Sequence, residues 1–325
     1  MSVEFQLIDL VIPPDWAGER LDRALAGLLP EHSRTRIRGW IDAGDVEIGR
    51  RRGKPSDAVD AGDRVRIRHG APPATETSVE AEAIALQIVH QDRDCLVIDK
   101  PAGLVVHPGA GNPRHTLQNA LLGFDPALAA VPRAGIVHRL DKDTSGLLVV
   151  ARTLEAHTAL TRQLADRSVE RDYLALCRGL PTGGGTIDLP IGRHRTDRLR
   201  MAVREGGRPA VTHYRILERF RAHALLAVKL ETGRTHQIRL HLAHAQHGIV
   251  GDPVYGGRLV LPRGAGADVV AALRGFRRQA LHAANLAFDH PRSGRRQSFA
   301  SPLPADFKAL IGVLRRDLQG GGDAS

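Results

Sequence analysis

His138-Arg139-Leu140-Asp141-Lys142-Asp143-Thr144-Ser145-Gly146-Leu147-Leu148-Val149-Val150-Ala151 sets a short polar loop directly against an unbroken apolar run. Leu147 to Ala151 has the branched-aliphatic pattern of a strand covered on both faces, and Thr144-Ser145-Gly146 supplies turn chemistry for its start. Asp141 then stands at the end of a rigid element, where a carboxylate can be aimed. An isolated Asp-x-x-Ser-Gly is more simply an Asp that caps its own turn, and only the company this stretch keeps argues otherwise. Asp143 lies two positions on, so in an extended segment the two carboxylates face opposite ways and cannot act as a glycosidase pair; it reads as structural or as a contact of the turn.

A chain of 325 residues that is 42% hydrophobic can bury a proper core, as one large domain or as a small one plus a large one. Its net charge of +10 favours a polyanionic partner, either nucleic acid or an anionic membrane surface. No apolar run approaches the roughly 20 residues of a membrane span. The first residues, MSVEFQLIDLVIP, lack the flank and cleavage site of a signal peptide and read as a strand. The expectation is a cytoplasmic protein. Cys95 and Cys177 each sit inside an apolar run and read as buried hydrophobes of a reducing compartment, unpaired. Of the 46 basic residues 41 are Arg, a bias that fits a GC-rich genome and carries little about RNA.

From Gly18 onward, Leu21, Leu25 and Leu28 fall at helical spacing and Pro30 breaks the pattern. Ser33 can cap a second helix that carries Arg34, Arg36 and Arg38 around Ile37, Trp40 and Ile41, with Gly44 suited to its left-handed end. Val46 with Ile48, and Val65 with Ile67, alternate with polar residues as short strands do. The helix face with its arginines and the loop holding Arg51, Arg52 and Lys54 are where phosphates would bind, although Asp42, Asp45, Glu47, Asp57, Asp60 and Asp63 dilute the charge. The boundaries read as a terminal extension over 1–14, this module over 15–69, a linker over 70–85, a large domain over 86–316 and a disordered tail over 317–325. In the large domain strand-like runs dominate, with helical stretches at 154–165 and 267–273, which predicts an α+β fold around a mixed, largely antiparallel sheet with flanking helices.

The opening stretch does not stand alone. DKPAGLVVHPGAGNP (Asp99 to Pro113), RDYLAL (Arg171 to Leu176), RPAVTHY (Arg208 to Tyr214), ETGRTHQIRLHLAH (Glu231 to His244) and VGDPVYGG (Val250 to Gly257) accompany it. Taken together, these blocks closely resemble, in order and spacing, the RluA/RluD-type ribosomal large-subunit pseudouridine synthases, over about residues 15 to 316. LDKDTSG, GDPVYGG, Gln279-Ala280-Leu281-His282-Ala283 and the N-terminal module favour the RluD subgroup. That module resembles the small RNA-binding alpha-L motif, named after a ribosomal protein, which would hold RNA by counterion release while the second domain chooses a base.

The resemblance implies that uridines of large-subunit ribosomal RNA, in the free RNA or a pre-50S particle, are isomerised to pseudouridine; the implied target is the intersubunit stem-loop called helix 69. The reaction breaks the N-glycosidic bond, turns the base and rejoins it through C5. No atoms are gained and no redox change occurs, so no cofactor and no metal are expected. What the chemistry needs is a nucleophile or base beside the ribose, a surface for the extruded uracil and cations for the backbone. By resemblance Asp141 is the carboxylate, with attack on the sugar, attack on the base and proton removal from the ribose all open. Tyr173 occupies the family's basic-x-Tyr position and would stack on the base or move a proton; a strand Tyr in the core is the plainer reading. Arg234 matches the basic residue that pairs with the catalytic Asp, with Arg239 as its rival and alternation turning Ile238 away toward an apolar floor. Arg139 would enter the RNA stack in place of the flipped base, and Lys100 and His138 would support the site, although Asp99 stands where Asn is common in relatives.

Three other readings are weaker. His236, His241, His244 and His247 suggest a metal, but no HExxH or Cys pair accompanies them. Gly109-Ala110-Gly111 lacks the rest of a nucleotide-binding loop, and Ser145 has no GxSxG. The alternative from another class is a non-catalytic RNA-binding ribosome-assembly factor. The remaining expectations are a monomer with no obligate protein partner and no membrane association.

Overall fold

Amphipathic helices and alternating strands build two compact units, 1–78 and 79–325. The structure, a computed structural model, describes residues 5–29, 32, 34–70, 79–109, 111–197 and 200–320, except the side chains of 5, 6, 34–36, 69 and 70.

The first unit runs β1 (Phe5–Val11), α1 (Leu21–Leu28), α2 (Arg34–Ala43), β2 (Val46–Ile48), β3 (Arg51–Arg52) and β4 (Arg64–Gly70), with its sheet in the order β1-β4-β2-β3. The inward positions of the strands, Val46, Ile48, Val65 and Ile67, pack on Leu21, Leu25, Ile37, Trp40 and Ile41. Gly44 ends α2 at φ 83°, where a side chain would be strained. β1 pairs with β4 along its whole length, so the segment set apart by its sequence as an extension is a strand of the module. Its cations are partly compensated. Arg38 reaches Asp42, one helical turn on, Arg51 pairs with Asp57, and Arg52 donates to the carbonyl of Ala43. Lys54 is exposed. Ser33 and the side chains of Arg34 and Arg36 lie outside the described residues.

The second unit runs β5 (Ile88–Gln91), β6 (Cys95–Lys100), α3 (Leu117–Phe124), β7 (Ser145–Ala151), α4 (Leu154–Ala165), β8 (Glu170–Arg178), β9 (Gly185–Asp188), β10 (Ile191–Arg193), β11 (Met201–Val203), β12 (Val211–Arg219), β13 (His223–Leu230), α5 (Gln237–His244), α6 (Ala267–Gly275), β14 (Leu281–Asp289), β15 (Arg296–Ala300) and α7 (Ala305–Gly320). Nine strands form one sheet, β5-β6-β7-β14-β8-β13-β12-β9 with β15 on β14; among its pairings only β7 with β14 is parallel.

β7 is buried at every position, as a strand covered on both faces must be. Its alternation feeds two cores. Leu148 and Val150 join the core that also takes in residues of α3, α5, α6 and α7, whereas Leu147, Val149 and Ala151 join the one built on α4. Cys95 and Cys177 are buried and unpaired.

Two boundaries move relative to the sequence reading. Residues 71–78 of the expected linker lie outside the described residues, but Glu80 and Glu82 are hydrogen-bonded to Asn119 and His115 and belong to the second unit. At the other end α7 continues through Gly320, with Asp317 paired to Arg221 at 2.8 Å, so the expected tail begins too early; 321–325 lie outside the described residues. Among the described residues no helix is long and apolar enough to cross a membrane.

Gly146 does more than begin a turn. Its φ is 113°, and a Cβ there would lie 2.2 Å from the Ala283 carbonyl oxygen. Only a residue without a side chain lets β7 and β14 close at that point. Gly146→Ala is therefore expected to destabilise the protein by about 3 kcal/mol or more, read as a lowered urea midpoint at unchanged slope.

Candidate active site

The loop before β7 is a tight turn in which Thr144 N–H donates to the Asp141 carbonyl at 3.1 Å. It is bolted down from beneath by Lys100, the last residue of β6. The Lys100 ammonium, fully buried, donates to the carbonyls of Pro101 (2.7 Å), Leu104 (2.9 Å) and Lys142 (3.0 Å). Burial drives its pKa down to about 7, while the charges of Asp143 and Asp141 pull the other way. On the other side His138 fills the open edge of β7: Val149 N–H donates to its Nε2 at 3.1 Å. Burial pushes His138 down to about 3, with the Arg171 charge adding to the effect, so the ring is neutral and carries its hydrogen on Nδ1.

Asp141 is gripped by Arg239. Nη1 of Arg239 donates to Asp141 Oδ2 at 2.9 Å, while Nε and Nη2 form a two-pronged pair with Asp252 at 2.7 and 2.9 Å. Both Arg239 and Asp252 are buried. Burial alone would lower the Arg239 pKa and raise that of Asp252; the ion pairs outweigh it in both, and the N–H groups of Val254 and Tyr255 also favour the Asp252 carboxylate. This corrects the sequence assignment of Arg234 as the partner of Asp141. Arg234 precedes α5 in a loop and donates from Nε to the Pro209 carbonyl at 3.1 Å. The basis for choosing by strand alternation also fails, because α5 is a helix. It begins after His236, held at φ 58°, and its first turn aims Arg239 at Asp141 while Ile238 joins the apolar core.

A cavity of about 700 Å³ opens above this pair, lined among others by His138, Asp141, Arg171, Tyr173, His236 and Arg239. Tyr173, on β8, is 6% exposed and belongs both to the core and to the cavity wall. Burial raises the pKa of its phenol and keeps it protonated, although the Arg171 charge works the other way. His236 extends the network. Met201 N–H donates to Tyr255 Oη at 2.8 Å, which leaves the phenol hydrogen for His236 Nδ1 at 2.9 Å. The neutral ring thus carries its hydrogen on Nε2, 4.0 Å from Asp141 Oδ1. Arg139 and Arg133 are exposed at the cavity mouth.

The structure therefore brings Asp141, Tyr173, Arg239, His138 and Lys100 together, and places Arg234 and Arg139 on the same cavity without a bond to Asp141. Asp252 and Tyr255 were missed, and His236 was read only as one of four histidines that suggest a metal. Asp252 lies in the block VGDPVYGG, but no spacing rule connects it with Arg239 across a helix and a loop. Of the four histidines read for a metal, His241 is occupied by Thr212 and the Leu189 carbonyl.

Arg239→Met should lower stability by about 3 to 5 kcal/mol, since Asp252 is left buried and uncompensated, whereas Arg234→Ala should change it by no more than about 0.5 kcal/mol; denaturant titration separates the two. Lys100 gives a pH test. Its folded-state pKa of about 7 lies below the ordinary 10.5, so between these values the unfolded chain holds a proton that the folded one lacks. Stability of the wild type relative to Lys100→Met should rise with pH across that window, by at most about 1.4 kcal/mol per unit.

The pattern of the RNA pseudouridylate synthase family matches residues 94–244, and that of the S4 domain matches residues 19–65. The chain is 55% identical over 315 residues to the ribosomal large subunit pseudouridine synthase D of Xanthomonas campestris pv. campestris, covering 97% of this chain and 95% of that one. It is 54% identical to the protein of the same name from Pseudomonas aeruginosa (94% and 95% covered) and 52% identical to that of Escherichia coli strain K12 (93% and 92%). Among solved structures it is similar to human RNA pseudouridylate synthase domain containing 4, with a TM-score of 0.55 at 26% identity over 70% of this chain and 93% of that one. With such identity sustained over nearly the full length of each relative, the chain belongs to the RNA pseudouridylate synthase family and carries an S4 domain ahead of its synthase domain.

Proposed function

We propose that the protein converts uridines of large-subunit ribosomal RNA to pseudouridine, acting as a monomer without a cofactor, and that Asp141 is the reacting carboxylate. The observation that carries this reading is the Asp141–Arg239 pair at the floor of a cavity walled by Tyr173. Arg239 holds Oδ2 and leaves Oδ1 turned toward the space between Asp141 and His236. A fixed carboxylate with one free oxygen suits either attack on the substrate or removal of a proton, because its orientation is set before the substrate arrives. Tyr173 offers a ring for stacking and a protonated phenol.

A base can reach this floor only when it leaves the helix stack. The exposure of Arg139 at the mouth supports its entering the gap, where a planar guanidinium can both stack and meet a phosphate. The arginines of the S4 domain add sequence-independent contacts to phosphates. The large-subunit substrate is supported by the names of the relatives, and helix 69 is the target that follows from the likeness to the RluD subgroup.

Isomerisation must release the hydrogen on uracil C5. Ribosomal RNA without modifications, carrying tritium at that carbon, should lose it to water with the wild-type protein and keep it with Asp141→Asn, while both proteins bind the RNA alike. Binding by both without release from this or any cellular RNA would instead identify a non-catalytic assembly factor.

A further inference from the structure

The cavity contains a buried cation without a counterion. Arg171 is 7% exposed. Its Nε is buried with no acceptor, and among the described residues no hydrogen bond or ion pair engages its Nη atoms. The other arginines of the cavity differ: Arg239 is paired twice, Arg234 has the Pro209 carbonyl, and Arg133 and Arg139 stand in solvent. Asp172 does not serve, since it follows Arg171 on β8 and so projects from the opposite face of the sheet. A second donor nearby is also orphaned, because His138 Nδ1 is buried without a partner. Buried cations and N–H groups are strongly disfavoured unless something accepts from them. Two together on one cavity wall point to an oxygen-bearing ligand that completes the site.

The depth of Arg171 indicates which part of the ligand this is. Phosphates keep much of their hydration and meet the exposed arginines of the rim. Arg171 is two residues before Tyr173 on β8, on the same face, and its charge is felt by the Tyr173 phenol together with that of Asp141. A uracil lying on the Tyr173 ring with its sugar toward Asp141 turns a polar edge to Arg171. Gly233 makes room for this: a Cβ there would sit 2.7 Å from Arg171 Nη1.

We propose that Arg171 is a catalytic residue that donates from Nη to a carbonyl oxygen of the extruded uracil and stabilises the negative charge of the ring when its glycosidic bond opens. This rests on the pseudouridine-forming reading above. When N1–C1′ breaks, its electron pair passes to the ring and spreads over N1 and the two carbonyl oxygens. C1′ is left one electron pair short until the ring has turned and C5 bonds to it; the C5 proton then passes to water and N1 takes one up, so atoms and electrons balance without a redox partner. A guanidinium in a site shielded from water favours the charged ring over the neutral bound uridine, which speeds the step without tightening the binding of the RNA.

The test is single-turnover tritium release at saturating unmodified ribosomal RNA, with RNA affinity measured in parallel, for the wild type, Arg171→Ala and Arg171→Lys. The expected result is a rate lower by about 100-fold or more for Arg171→Ala and by about 10-fold for Arg171→Lys, whose point charge cannot present the same fork. RNA affinity should stay within about threefold, and added guanidinium ion at millimolar concentration should restore part of the Arg171→Ala rate, which a purely structural role would not allow. If Arg171→Ala does not fold, Arg171→Lys decides the matter. Full rates at saturation, whether or not affinity falls, would overturn the proposal and leave the pseudouridine-forming reading standing. An inactive wild type would remove both.

Discussion

A single guanidinium fixes the geometry of the site. Arg239 lies between two carboxylates, one buried and one at the cavity floor, and spends three of its N–H groups on them. In a low-dielectric interior such a group is stable only while its partners are in place. Asp252 compensates the charge and sets the plane of the guanidinium, so that Nη1 is left to hold Asp141. Asp252 is itself held by the N–H groups of Val254 and Tyr255, and the orientation of the carboxylate at the cavity floor thus traces back to a turn more than a hundred residues downstream.

The sheet makes this convergence possible. β6 brings Lys100, β7 brings the loop of Asp141, β8 brings Tyr173 and Arg171, and the segment after β13 leads into the helix that carries Arg239. Strands distant in sequence become neighbours because β14 is inserted between β7 and β8. That insertion depends on Gly146, where the approach of two backbones leaves no room for a Cβ. Lys100 then ties the loop to the segment that follows β6, because its ammonium meets the Lys142 carbonyl together with those of Pro101 and Leu104.

Charge is distributed by depth. Among the arginines of the cavity, the deepest, Arg239, is neutralised within the protein, the rim carries exposed arginines, and Arg171 lies between the two, buried but, among the described residues, without an acid. This gradient suits a substrate whose phosphates stay wet while one base is taken out of water. The S4 domain differs, with Arg38 and Arg51 paired to acids at the surface and Arg52 donating to a carbonyl; exposed pairs such as the first two contribute little to stability.

Local pattern alone determined a good deal of this protein. The buried strand over 147–151, which the fold extends back to Ser145, the helices at 21–28 and 154–165, the left-handed Gly44 and the two unpaired cysteines were legible because each depends on periodicity, caps or backbone sterics within a few residues. The family was legible because several blocks recur in order. The choice between Arg234 and Arg239 was not, since it turns on where a helix starts: His236 in a left-handed conformation ends the loop, and from there the period is 3.6 instead of 2. Neither the role of Asp252 nor the isolation of Arg171 has any local signal. Both are properties of which charges meet in the folded interior, and only the tertiary structure decides whether a buried cation finds its carboxylate or is left for a ligand.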